Sequence, residues 1–174
     1  MATKLEWIED FEITGGIVQT LDCDNIFSSY YDVYFFTVTL NESSSGNDQW
    51  VRLRLINSTG GIITTSNYDY AQYTMPANAT YYDTARGVNQ DNFTYSGIGY
   101  ADDTGNSGSM YIFNPYDSGS YTFLNAQASS TVGTVLHGTK GIGAYKVAET
   151  IRGIRFYTTT YWGSGKVEVY GVKG

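Results

Sequence analysis

The chain has 174 residues and a formal net charge of −7, and it contains 17 Tyr and 8 Phe but only two Pro, one Cys and one His. That length calls for one domain over residues 1–174, the lone Cys23 excludes an internal disulfide, and ten scattered Lys and Arg offer no phosphate-binding patch, so nucleic acid is not an expected partner. The longest apolar runs, such as residues 33–36, fall far short of a membrane span, and the opening MATKLEWIEDFEI has no apolar leader, so neither a membrane nor an export route is expected.

The clearest strand is residues 31–40, where Tyr34, Phe36, Val38 and Leu40 fall on one face and Val33, Phe35, Thr37 and Thr39 on the other. Both faces are substantially apolar, which predicts a central strand. Residues 50–56 follow, with Val51, Leu53 and Leu55 opposite Trp50, Arg52 and Arg54, and then the turn Asn57-Ser58-Thr59-Gly60-Gly61. Shorter alternating runs at 68–73, 93–100, 109–113, 121–128, 131–137 and 151–159 bring the expected count to at least eight strands. Residues 144–151, AYKVAETI, are the only helical candidate, but Gly143 and Gly153 confine them, and they read as strand or irregular connection. The end of the chain reads as a hairpin. Ile154 and Phe156 point one way, a turn falls at Trp162-Gly163-Ser164-Gly165, and Val167 and Val169 return on the matching face. Many short strands with regular turn signals and no convincing helix predict an all-β fold, an antiparallel β-sandwich of jelly-roll type, with a closed barrel as second choice.

Chemistry-bearing groups are scarce. His137 has no Ser or Cys in a nucleophile-elbow context, and the carboxylates flanking Cys23 raise a thiol pKa rather than lower it. The adjacent pairs Asp102/Asp103 and Glu9/Asp10 are the arrangement least suited to paired-carboxylate hydrolysis, because neighbours on a strand point to opposite faces and neighbours in a Gly-rich loop form turns. Asp22-Cys23-Asp24-Asn25 and Asp102-Asp103-Thr104-Gly105-Asn106 offer oxygens of the kind calcium takes, without the spacing of an EF-hand loop. No catalytic residue, no metal site and no cofactor is therefore expected. Four Asn-X-Ser/Thr triplets, at Asn41, Asn57, Asn78 and Asn92, arise from a composition rich in those residues. What remains is aromatic. Tyr161 and Trp162 at the expected hairpin tip, Tyr116 in Asn114-Pro115-Tyr116-Asp117, and Tyr81-Tyr82 lie in or beside turns, where rings serve contact with a partner as readily as a core. Trp162, Tyr161 and Tyr116 are the expected partner-binding residues.

The closing segment Ile151-Arg152-Gly153-Ile154-Arg155-Phe156, with Lys166-Val167-Glu168-Val169-Tyr170-Gly171-Val172 after a Gly-containing turn, resembles the C-terminal hairpin of small β-sandwich structural proteins of tailed bacteriophages. Trp7 on a first short strand, Tyr31-Asp32-Val33-Tyr34, Val51-Arg52-Leu53-Arg54-Leu55 and Tyr68-Asp69-Tyr70 extend the resemblance along the chain. It implies a non-enzymatic virion protein, made in the host cytoplasm and placed on the outer surface of the particle. Its partners would be the major capsid protein or other virion subunits, and it would itself be a homo-oligomer, a trimer. With neither heptads nor β-helical repeats for a shaft, a capsid decoration protein suits the chain better than a fibre. The competing reading is a tail fibre or appendage knob that recognises a cell-surface glycan.

Overall fold

Alternation of large apolar and small polar residues produces eleven strands, all antiparallel, in a computed structural model that describes residues 4–42, 51–78, 83–95, 106–132 and 134–173. In chain order they are β1 (Lys4–Ile13), β2 (Val18–Cys23), β3 (Val33–Glu42), β4 (Val51–Asn57), β5 (Tyr68–Pro76), β6 (Asp83–Gln90), β7 (Phe93–Tyr95), β8 (Asn106–Phe113), β9 (Thr122–Val132), β10 (Val135–Tyr145) and β11 (Ile151–Lys173). The fold is an all-β antiparallel sandwich whose two layers share one strand and approach closure as a barrel. The larger layer runs β6-β5-β10-β9-β8-β3-β11-β1, and the smaller runs β2-β11-β4-β7. β7 comes back to within reach of β5.

The shared strand is where the sequence reading fails. Instead of a hairpin, residues 151–173 form one 23-residue strand. Its first part, to Tyr157, lies between β2 and β4, and its last part, from Gly165, lies between β1 and β3. Ile154, Phe156 and Trp162 face inward at even positions, whereas Val167 and Val169 face inward at odd ones. A register shift between Trp162 and Ser164 accounts for the change, since one extra residue in a ladder flips every later side chain to the other face. The glycines read as a turn thus mark the bend by which β11 leaves one layer for the other.

Elsewhere the pattern decides the packing. Tyr34, Phe36, Val38 and Leu40 on β3 are all at most 1% exposed, and β3 is central, between β8 and β11. Val51, Leu53 and Leu55 face them from β4. The turn after β4 forms around Asn57, whose Oδ1 accepts from the amides of Thr59 and Gly61 at 3.1 and 2.8 Å. The run 131–137, expected as one strand, is divided between two: Thr131 and Val132 end β9, and Val135 to His137 open β10, which pairs back on β9. β2 and β6, which carry too few apolar residues to announce themselves, were not anticipated. Beyond Tyr145 the chain is irregular until β11, as expected for the AYKVAETI segment. Trp50 and the end of the 93–100 run lie outside the described residues.

Three buried tyrosines keep their hydroxyls satisfied, which is what lets the core hold so many of them. Tyr34 Oη accepts from Ser28 N at 2.7 Å and donates to Ser28 O at 3.0 Å. Tyr68 Oη accepts from Leu55 N at 3.1 Å and donates to Ile63 O at 3.0 Å, and Tyr145 Oη donates to Glu149 Oε1 at 2.6 Å.

Candidate functional site

Among the described residues, the outer face of the larger layer carries a chemical pattern that continues from strand to strand. Residues paired in register across an antiparallel sheet project to the same side, so each outer position continues as a row from strand to strand. One such row crosses all eight strands: Trp7, Tyr170, Phe35, Tyr111, Asn125, Ile142, Ala71 and Arg86. The next row toward the Val33 end of β3 holds Leu5, Val172, Val33, Phe113, Phe123 and Ala144 and ends on Asp69. The rings form a ladder. Phe35 lies 4.9 Å from Tyr111 and 6.2 Å from Tyr170 between centroids, and Tyr111 stacks on Phe113 at 6.2 Å. Trp7 is 62% exposed and Ile142 58%, and Phe123 and Leu5 are also exposed, so this half of the face meets solvent as a contiguous apolar patch.

The other half of the same face is polar. Asp10, Glu168, Thr37, Ser109, Gln127 and Lys140 make the adjoining row, and a shallow groove beyond it is lined by Ser107, Ser129 and Met75 among others. At its β1 end Lys166 sits 3.0 Å from Asp10 and 3.2 Å from Glu168. Glu168 is held below the usual carboxylate range first by the Thr37 hydroxyl, at 2.8 Å, and then by Lys166. Small residues on the far strands leave a hollow of about 610 Å³ on the apolar half, bounded by Ala71, Arg86, Val88, Phe123, Ile142 and Ala144.

The smaller layer is different in kind. Four of the five arginines, Arg52, Arg54, Arg152 and Arg155, lie on its strands. Arg155 grips Asp22 with two bonds of 2.6 Å, Arg152 grips Asp24, and Arg54 pairs with Asp91 while its guanidinium lies 4.8 Å from the Tyr157 ring centroid. These saturated pairs suit a surface that stays in water.

The sequence-predicted site residues do not assemble. Trp162 is fully buried rather than at a tip, because the bend in β11 turns it into the core, so its ring is not available to a partner. Tyr161 and Tyr116 are 42% and 40% exposed, but they lie at opposite ends of β3. Trp162 pairs with Glu42 at one end, and Asn114 N reaches Asp32 O at 2.7 Å at the other. Only Tyr116 borders the apolar half. Asp22 and Asp24, weighed as calcium oxygens, are each engaged by an arginine, and among the described residues no cluster of three or more His, Cys, Asp or Glu is placed to hold a metal. Asp102, Asp103, Tyr81 and Tyr82 lie outside the described residues. Glu9 and Asp10 occupy opposite faces of β1, opposite Val169 and Glu168. Cys23 is completely buried, and desolvation, followed by the charges of Asp22 and Glu9, pushes its thiol pKa well up. His137 lies half-buried on β10, opposite Pro76 and Ser130.

No protein family, curated protein or solved structure matches the chain. The site therefore stands on its own geometry. The outer-face rows were present in the alternation of each strand, but nothing in the sequence gave the strand order that joins Trp7, Tyr170, Phe35 and Tyr111 into one ladder.

Proposed function

We propose that this is a non-catalytic structural protein that acts by protein–protein contact through the apolar half of its larger sheet, as a decoration protein on the particle of a tailed bacteriophage. The observation that carries the contact reading is the ladder running from Trp7 through Tyr170 and Phe35 to Tyr111, exposed at its two ends and half-buried between them, backed by the second row from Leu5 to Ala144. Side chains of this kind left in water cost free energy that association recovers, at roughly 25 cal/mol per Å² of apolar surface removed from solvent. The patch is mostly aliphatic and aromatic, and its polar groups, Asn125, Arg86 and Asp69, lie on the far strands away from the Trp7–Tyr111 rings, which favours a protein partner over a sugar chain that needs hydrogen-bonding groups beside each ring. The particle assignment rests on the resemblance of the strand motifs. The mechanism is passive: each copy buries apolar area against neighbouring subunits, and symmetry multiplies the gain over the particle.

Co-sedimentation of the purified chain with phage capsids lacking it tests the reading. Saturable binding that is lost in Tyr111→Asp and Phe123→Asp, both of which remain folded by circular dichroism, supports it. Binding to a glycan array with no affinity for capsids sinks it in favour of the receptor-knob alternative.

A further inference from the structure

We infer that the hollow on the far strands is the anchor pocket of the contact face, and that it takes from the protein partner an apolar segment carrying one carboxylate, which Arg86 receives; this deepens the contact reading above and rests on it. The hollow, of about 610 Å³, opens across β9, β10, β5 and β6. Phe123 on β9 and Val88 on β6, 44% and 64% exposed, stand on its outermost strands, and Ala71 and Ala144 on the strands between them leave the space. These relations are local, since Ala144 pairs with Phe123 and Asp69, and Ala71 pairs with Ile142 and Arg86. Such a volume is that of a site for several groups rather than for one side chain.

Two charged groups border the hollow, and only one of them is satisfied within the chain. Asp69 Oδ1 accepts from Asn89 N at 2.7 Å and lies 2.9 Å from Lys146 Nζ, which in turn donates to Asn89 Oδ1 at 2.7 Å. Arg86 is exposed and has neither ion pair nor hydrogen bond among the described residues, whereas Arg54, Arg152 and Arg155 each hold an aspartate. The rim thus carries one uncompensated charge, and it is positive in a chain whose net charge is −7. A guanidinium offers five N–H donors in a planar fork that matches a carboxylate. At the margin of an apolar surface that bond strengthens as the partner excludes water. A carboxylate set among apolar side chains therefore meets both demands of the hollow, and a neutral sugar meets neither. Interface hot spots have this make-up, an apolar anchor seated in a pocket beside a charged contact that water no longer reaches. The rings from Trp7 to Tyr111 then add apolar area beside the anchor.

The test has two arms. The first titrates the full chain with two fluorescent probes: anilinonaphthalene sulfonate, an aromatic body bearing one anion, and phenylnaphthylamine, its uncharged counterpart. Arg86→Gln is expected to weaken the sulfonate at least about tenfold and to leave the neutral probe unchanged, while Ala71→Phe, which sets a ring in the hollow, removes both. Arg86 is exposed and has no partner to lose, so the effect of its substitution on binding is not an effect on folding. The second arm is co-sedimentation with phage capsids lacking the chain. Arg86→Gln is expected to weaken capsid binding at least about tenfold, and added salt to weaken the parent more than Arg86→Gln. A sulfonate that binds parent and Arg86→Gln alike overturns the inference. Capsid binding that is lost in Tyr111→Asp but indifferent to Arg86→Gln and Ala71→Phe also overturns it, and leaves the contact reading standing. If the probes behave as expected and no form of the chain binds capsids, the pocket and its preference stand and the decoration reading fails.

Discussion

The ring of Tyr31 lies over Gly171 so closely that a Cβ on that glycine would come within 2.6 Å of three ring carbons. The same tyrosine donates a hydrogen bond of 2.7 Å to Glu6 Oε2, so one side chain ties β1 to β11 across a backbone with no side chain of its own. Gly171→Ala therefore has to push the ring aside. We expect a loss of about 1–3 kcal/mol in stability, the usual cost of overpacking, read as a lower urea midpoint at unchanged slope. An alanine variant as stable as the parent would show that the ring is free to move away.

Tyr68 links two backbone groups that have few other routes to satisfaction, the amide of Leu55 and the carbonyl of Ile63, while its ring packs against Phe93 at 4.8 Å. Tyr68→Phe keeps the ring and orphans both groups. The expected cost is about 1–3 kcal/mol, the penalty for a buried donor or acceptor left unmade, measured by chemical denaturation. A near-neutral result would mean that water reaches the gap.

Trp162 and Tyr161 are neighbours with opposite fates, and substitution separates them. Trp162→Ala is expected to cost about 3–5 kcal/mol as a cavity in the core, whereas Tyr161→Ala, at an exposed position, is expected to change stability by no more than about 0.5 kcal/mol. Thermal unfolding of the two variants under one buffer condition reads the difference. The reverse order would put the bend of β11 elsewhere.

Acid sensitivity follows from the carboxylates that arginine and hydroxyl groups hold ionised. Asp24 has its pKa lowered first by the Arg152 guanidinium, and Asp69 first by the backbone amide of Asn89, at 2.7 Å, and then by Lys146. A carboxyl whose folded pKa lies below its unfolded value stabilises the fold above about pH 4, and that contribution disappears as pH falls through the folded value. Urea midpoints are therefore expected to hold steady down to about pH 5 and to drop below about pH 4. In Asp24→Asn the fold is less stable at neutral pH and the acid drop is shallower. A drop of equal size in parent and variant would remove Asp24 from the account.

The strands that were easiest to read are those whose alternation is strongest. β3 and β4 carry large apolar side chains at every second position, and that period has one interpretation when the sheet has an inside. β2 and β6 have only weak alternation, and their pairing to β11 and β5 supplies the ordering that their own sequences do not. Trp162-Gly163-Ser164-Gly165 was misread because a glycine-rich run satisfies a turn and a strand bend equally well. The choice between them belongs to β1, β3, β2 and β4, which flank β11 on both sides and keep it extended.

By itself the sequence determined that the chain forms antiparallel sheet with a core of tyrosine, phenylalanine and branched residues, because a two-residue period is a local property and survives any arrangement of the strands. Tertiary structure alone decided which aromatic side chains meet water. Trp162 entered the core and Trp7 came to stand exposed at the head of a ring ladder, since the order of strands across a sheet is set by long-range pairing that leaves no trace in the residues nearby.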